Sequence, residues 1–142
     1  MALNFPSTPS VNDTYTLDNK TWKYNGTAWD LVSSRYTLGV STYTSETSIT
    51  PNLSTTGTII VTAQAAGITF NNSTGSPAAG QKLIIRIKDN GTARSIGFGT
   101  QYRASTDLAL PTTTTLGKTM YMGFIWNNTD SKLDLVALLD NF

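Results

Sequence analysis

The residues of this chain best suited to acid–base chemistry are carboxylates, at Glu46, Asp89, Asp107, Asp130, Asp134 and Asp140. Histidine and cysteine are absent. A serine or cysteine nucleophile needs an imidazole base, so that chemistry is closed. Zinc sites draw on histidine and thiolate, and they are closed for the same reason. A glycosidase working with two carboxylates remains formally open. Each of these acids, however, stands in a turn-like or strand-end context, where an aspartate is a turn former or a solvated charge. Asp89-Asn90-Gly91 is a turn by chemistry, and Asp130 lies in a loop between two strands. No run of alternating oxygen ligands ends in a glutamate, as a calcium loop requires. Gly97 and Gly99 precede no helix, so they form no phosphate cradle. The residues therefore imply no catalytic centre, no metal and no cofactor.

Stacking is the other chemistry on offer. Trp22, Tyr24 and Trp29 could lie against sugar rings if their strand face is open to solvent, or they could form an aromatic mini-core. Three short strands need such a core to be stable.

The elements that position these groups read as strands throughout. Residues 1–13 form an extended arm, because Pro6 and Pro9 fix φ and deny ladder hydrogen bonds. Phe5 is its large apolar anchor. Residues 14–32 read as a three-stranded antiparallel meander. Asn25-Gly26 supplies the positive φ of a two-residue hairpin turn. Tyr15, Trp22, Tyr24 and Trp29 then share one face as cross-strand neighbours. The arm and this face together are the expected docking surface: Phe5, Pro6, Pro9, Tyr15, Trp22, Tyr24 and Trp29. Residues 33–48, rich in Ser and Thr, read as a linker.

Residues 49–142 read as a β-sandwich or jelly-roll-like module, with early strands at residues 58–62 and 68–70. Residues 82–88 are expected to pair with residues 93–98 across Asp89-Asn90-Gly91, and residues 118–126 with 132–139. The last two strands are apolar on both faces. Met120, Met122, Phe124 and Trp126 are backed by Tyr121 and Ile125, and Leu133, Leu135, Ala137 and Leu139 by Val136 and Leu138. A strand apolar on both faces is buried on both. A subunit interface through Met120, Met122, Phe124, Trp126, Val136 and Leu138 would supply the second cover. The linker or the meander folding back is the alternative cover.

Composition agrees with this all-β reading. The chain has 142 residues, enough for one domain with a small appendage. It contains 25 threonines, and only 13% of its residues are charged, about half the usual share. Lysine and arginine look scattered, which implies no nucleic-acid stripe and no lipid patch. No apolar run approaches the roughly 20 residues of a membrane span. Met1 to Ser7 lacks the pattern of a secretory signal, and zero cysteine suits synthesis in a reducing cytoplasm.

Two stretches resemble bacteriophage virion proteins. The first is Gly80-Gln81-Lys82-Leu83-Ile84-Ile85-Arg86-Ile87-Lys88-Asp89-Asn90-Gly91-Thr92-Ala93-Arg94, continued by Leu110-Pro111-Thr112 and Asp130-Ser131-Lys132-Leu133-Asp134-Leu135. It resembles a module that ends phage appendage proteins. The second is Phe-Pro-x-x-Pro from Phe5 with Lys20-Thr21-Trp22 and Tyr24-Asn25-Gly26-Thr27-Ala28-Trp29. It resembles an aromatic hairpin of phage tail and head appendages. The resemblance implies a non-enzymatic structural protein on the virion surface, made in the bacterial cytoplasm. Its partners would be itself, as a homotrimer, and the major capsid protein or another virion protein. A capsid decoration or cement protein is the first expectation, because no long repetitive fibre shaft is present. A tail-fibre or receptor-binding tip that recognises a host surface glycan is the alternative.

Overall fold

The computed structural model describes residues 4–17, 20–34 and 38–142, and the chain divides into two compact units, Met1–Thr37 and Leu38–Phe142. Both are built of strands and turns.

The first unit is the expected meander, β1 (Thr14–Leu17), β2 (Lys20–Tyr24) and β3 (Trp29–Ser34), paired antiparallel in that order. Tyr15 stands opposite Trp22, and Tyr24 opposite Trp29. The turn at Asn25 differs from the two-residue form expected, because residues 25–28 make a four-residue loop. The Asn25 N–H donates to the Ala28 carbonyl at 2.9–3.0 Å range typical of such closures, at 3.0 Å here. The Asn25 side-chain oxygen accepts from the N–H groups of Thr27 and Ala28. Only Gly26 takes positive φ, at 103°.

The second unit stacks two sheets. Its strands are β4 (Gly39–Tyr43), β5 (Ser48–Ile49), β6 (Thr56–Gln64), β7 (Ile68–Phe70), β8 (Lys82–Asp89), β9 (Ile96–Phe98), β10 (Tyr102–Arg103), β11 (Thr119–Asn127) and β12 (Lys132–Leu139). A six-stranded sheet runs β10-β12-β11-β8-β6-β4, and a three-stranded sheet runs β5-β7-β9. The chain winds between them. β4, β6 and β8 are parallel neighbours in one sheet, and β5, β7 and β9 are parallel neighbours in the other. Parallel strands need a long crossover. Here β5 and β7 of the small sheet lie on those crossovers, and β9 lies on the connection that leaves β8. The β11–β12 hairpin then closes the stack antiparallel to β8, with β10 parallel to β12 at the end.

This wiring changes three expectations. Residues 33–48 are not only a linker, since they supply β4, the end strand of the large sheet, and the first residue of β5. Residues 82–88 and 93–98 do not form a hairpin, because β8 pairs with β6 and β11 while β9 pairs with β7. The wiring is also mixed, whereas a jelly roll is wired antiparallel. The architecture is all-β and two-layered, with the final hairpin as expected.

Alternating apolar residues from both sheets make one core. Ile59, Val61, Ile85, Ile87, Met122 and Phe124 face Ile49, Ile68, Phe70 and Ile96. The rings of Phe70, Phe98, Tyr102 and Phe124 form a connected aromatic group with centroids 5.2–6.2 Å apart. Buried or half-buried glutamines stitch one winding to the next. Gln64 donates to the carbonyls of Glu46 and Ala66, Gln81 donates to Leu53, and Gln101 accepts from Ser73. Each leaves backbone groups of a buried corner paired, which a loop there needs.

Phe70→Ala should therefore lower the unfolding free energy by about 3–5 kcal/mol. Val136→Ala, at a 53% exposed position, should change it by less than about 0.5 kcal/mol. Urea midpoints measure both, and equal losses would contradict this placement of the core.

Candidate functional site

Phe5 does not project from the arm as a free anchor. It stacks on Trp29 with ring centroids 5.0 Å apart, and meets Tyr15 and Trp22 edge-on at 5.2 and 5.5 Å. Tyr24 packs on Trp29 at 5.5 Å. The structure thus brings Phe5, Tyr15, Trp22, Tyr24 and Trp29 together, and Trp22 is buried. The reason is local. A three-stranded sheet has one apolar face to cover, and the arm lays its only ring there. Pro6 is exposed and Pro9 half-buried, and neither extends the aromatic cluster. Elsewhere on this unit, Lys23, Asn25, Asp30, Asn12, Tyr24 and Val11 line most of a half-open cleft of about 290 Å³. Asn25 donates to Asp30 within it at 2.9 Å.

The residues expected at a subunit interface part company. Met120, Met122, Phe124 and Trp126 point into the core of their own unit, at most 8% exposed. Leu138 is half-buried against that core. Val136 is exposed, at a point where the register between β11 and β12 shifts. The apparent two-faced pattern came from an inner face that is wholly core and an outer face that is also partly apolar. Trp126 and Tyr102 flank Leu133 in register, and the burial of Tyr102 raises its phenol well above the ordinary value of 10.

The carboxylates serve as struts. Asp89 is 2% exposed. One oxygen accepts from the N–H groups of Gly91 (2.9 Å) and Gly117 (2.8 Å), and the other from the Thr114 hydroxyl (2.7 Å). Both glycines take positive φ, at 90° and 69°, which brings their amides onto the carboxylate at little steric cost. Burial alone would raise the Asp89 pKa. The donors from Thr114, Gly117 and Gly91, with the charge of Arg94, outweigh it and hold the group below its ordinary 3.8. Asp134 is lowered mainly by Arg103, whose guanidinium grips it with two bonds of 2.6 and 2.9 Å and reaches Asp130 at 2.9 Å. Asp140 accepts from Thr115, Glu46 is exposed with its backbone bound to Gln64, and Asp107 is exposed. Among the described residues no group of three or more acids, histidines or cysteines is arranged to hold a metal ion.

Among the described residues of the second unit, no layer covers the outer face of the six-stranded sheet. Register places Val40, Thr58, Ile84, Gly123 and Ala137 in one row across it. The next row is Thr42, Ile60, Arg86, Tyr121 and Leu139. Val40 and Leu139 are 61% and 56% exposed. Phe142, 65% exposed, rests edge-on against Tyr121 at 5.6 Å. Along β8 the outward positions are Lys82, Ile84, Arg86 and Lys88, because Leu83, Ile85 and Ile87 point inward. Three of the ten basic residues that looked scattered, Lys82, Arg86 and Lys88, are therefore aligned. The period-two spacing within Lys-Leu-Ile-Ile-Arg-Ile-Lys was the available signal. No protein-family model, curated protein or solved structure matches the chain.

Two measurements check these assignments. Above the ordinary aspartate value of 3.8, lowered carboxylates add stability, and this is lost as pH falls through their folded values. The melting temperature should stay level between about pH 5 and 8 and drop below about pH 4. Asp89→Ala should cost about 3 kcal/mol at neutral pH, because it strands buried donors, and should flatten that drop. An unchanged acid limb would remove Asp89 from its role. Phe5→Ala should red-shift tryptophan emission by opening the Trp29 face to water, and an unaltered spectrum would contradict the arm's position.

Proposed function

We propose that this chain is a non-enzymatic structural protein of a bacteriophage virion. Most concretely it is a trimeric capsid decoration or cement protein, held in the particle through the outer face of its six-stranded sheet. The observation that carries this reading is that face. Sheets built only of parallel strands are covered on both sides, and β4, β6 and β8 form a parallel part of this mixed sheet. Yet Val40, Ile84, Tyr121 and Leu139 stand exposed on its outer surface. Large apolar side chains gathered on one face suit an interaction site. The use of Asp89, Asp130 and Asp134 as structural ligands supports a non-catalytic role. The resemblance to virion modules covers β8, the Asp89 turn and the start of β12, the stretch that builds both the face and its support. The partner in the particle is the major capsid protein or another virion protein.

A second reading, a fibre tip binding host glycan, draws on the cleft beside Tyr24. Its Asn12, Lys23, Asn25 and Asp30 offer the polar groups a sugar would need.

Sedimentation equilibrium should give three times the 15.3 kDa chain mass. Protein added to particles that lack it should bind, and Leu139→Asp should abolish that binding while leaving the circular dichroism unchanged. A stable monomer at micromolar concentration, with full binding by the Leu139 variant, would overturn the reading.

A further inference from the structure

The cations of β8 say what kind of partner the outer face takes. Lys82, Ile84, Arg86 and Lys88 occupy successive outward positions, about 7 Å apart. Arg86 and Lys88 are thus one outward step apart, and Lys82 lies about 13 Å from Arg86. Arg86 is half-buried between Ile60 and Tyr121 in its row. Among the described residues, none of the three cations forms an ion pair, and the only salt bridges are those of Arg103. The one carboxylate whose register places it on this face is Asp134, beside Ile125, and Arg103 already holds it. The face is thus apolar, with a positive line down its centre.

We propose that this face binds an acidic segment of another protein, extended and carrying carboxylates together with an apolar residue among the side chains that share one side. The proposal rests on the reading of the chain as an assembling structural protein. An extended strand repeats its same-side residues at the same spacing of about 7 Å. Carboxylates on its facing side would meet Lys82, Arg86 and Lys88, and an apolar residue between the first two would settle on Ile84. Gly123, in the Ile84 row, is itself buried, because Ala137 and Ile84 close over it: an added Cβ would stand 3.3 Å from Ala137 and 3.9 Å from Ile84.

Two other occupants fit less well. A second copy stacked by two-fold symmetry presents the same patch to itself, which sets β8 cations against β8 cations. Of the chain's own carboxylates, Asp30, Asp130, Asp134 and Asp140 are engaged by side chains of their own fold. The exposed Glu46 and Asp107 are single acids, with no second carboxylate at a step of about 7 Å to match Arg86 and Lys88. Nucleic acid is held by many phosphate contacts and by bases stacked on several rings. This face offers three cations, with Ile84 between Lys82 and Arg86, and beside them only the Tyr121 and Phe142 pair.

The test uses the isotopically labelled full chain and three probes: a peptide Glu-Thr-Val-Thr-Glu-Thr-Glu, which sets its Glu and Val on one side when extended, the same peptide with Gln for Glu, and single-stranded oligodeoxythymidine. The Glu–Val peptide should bind saturably and shift the backbone amides of Ile84, Arg86 and Tyr121. Affinity should fall at least about tenfold with the Gln peptide, in Arg86→Glu, and on raising salt well above the physiological range. Melting curves should show Arg86→Glu and Lys88→Glu folded as the parent. Equal affinity for the Gln peptide, stronger binding of the oligonucleotide, or no shift on this face would overturn the proposal. So would an oligomer that Arg86→Glu dissociates, which would make a second copy the occupant. Any of these results with particle binding intact would leave the virion reading standing. Peptide binding without particle attachment would remove the virion reading alone.

Discussion

At the end of β8 the chain must leave one sheet, cross to the other, and later return to lay β11 against β8. The Asp89 carboxylate holds both journeys at one point. Its bonds to Gly91 fix the departure, and its bonds to Thr114 and Gly117 fix the return. Thr114 in turn exchanges bonds with the backbone of Arg94. A buried carboxylate is costly unless fully satisfied, and this one has three donors. With that corner set, Thr119 falls opposite Lys88 and the whole β11–β8 register follows. A slip of one residue would turn Met120, Met122 and Phe124 outward and Tyr121 inward. The core and the outer face therefore depend on the same carboxylate.

The glutamine stitches do similar work for the earlier windings. Parallel pairing between β4, β6 and β8 brings together segments separated by long crossovers, and ordering those crossovers opposes folding. Gln64 lies at the first corner and Gln81 and Gln101 at later ones. They keep the backbone of these connections paired.

The antiparallel parts of this fold were legible in the sequence because their signals are local. Trp22, Tyr24 and Trp29 alternate around a turn, and the run from Met120 meets the run from Leu133 across a short polar loop. The parallel windings were not legible, because nothing near Val40 announces pairing with Thr58, or near Ile68 pairing with Ile96. Asp89 was readable as a turn former but not as a buried ligand, since Thr114 and Gly117 reach it from far along the chain. Phe5 was readable as an anchor, and its partner proved to be the neighbouring meander. The double apolar pattern of the last two strands was read as an interface for side chains that belong to the core. The true outer surface lay in the alternate positions, with Lys82, Arg86 and Lys88 at its centre.

The central claim is that the outer face of the six-stranded sheet is covered when the protein is in its particle. Amine-reactive footprinting of intact particles, compared with the isolated protein, tests it directly. Lys82 and Lys88 should lose reactivity in the particle, while Lys118, on the loop before β11, keeps it. Equal reactivity of Lys82 and Lys88 in the two states would show the face open to solvent and contradict the account.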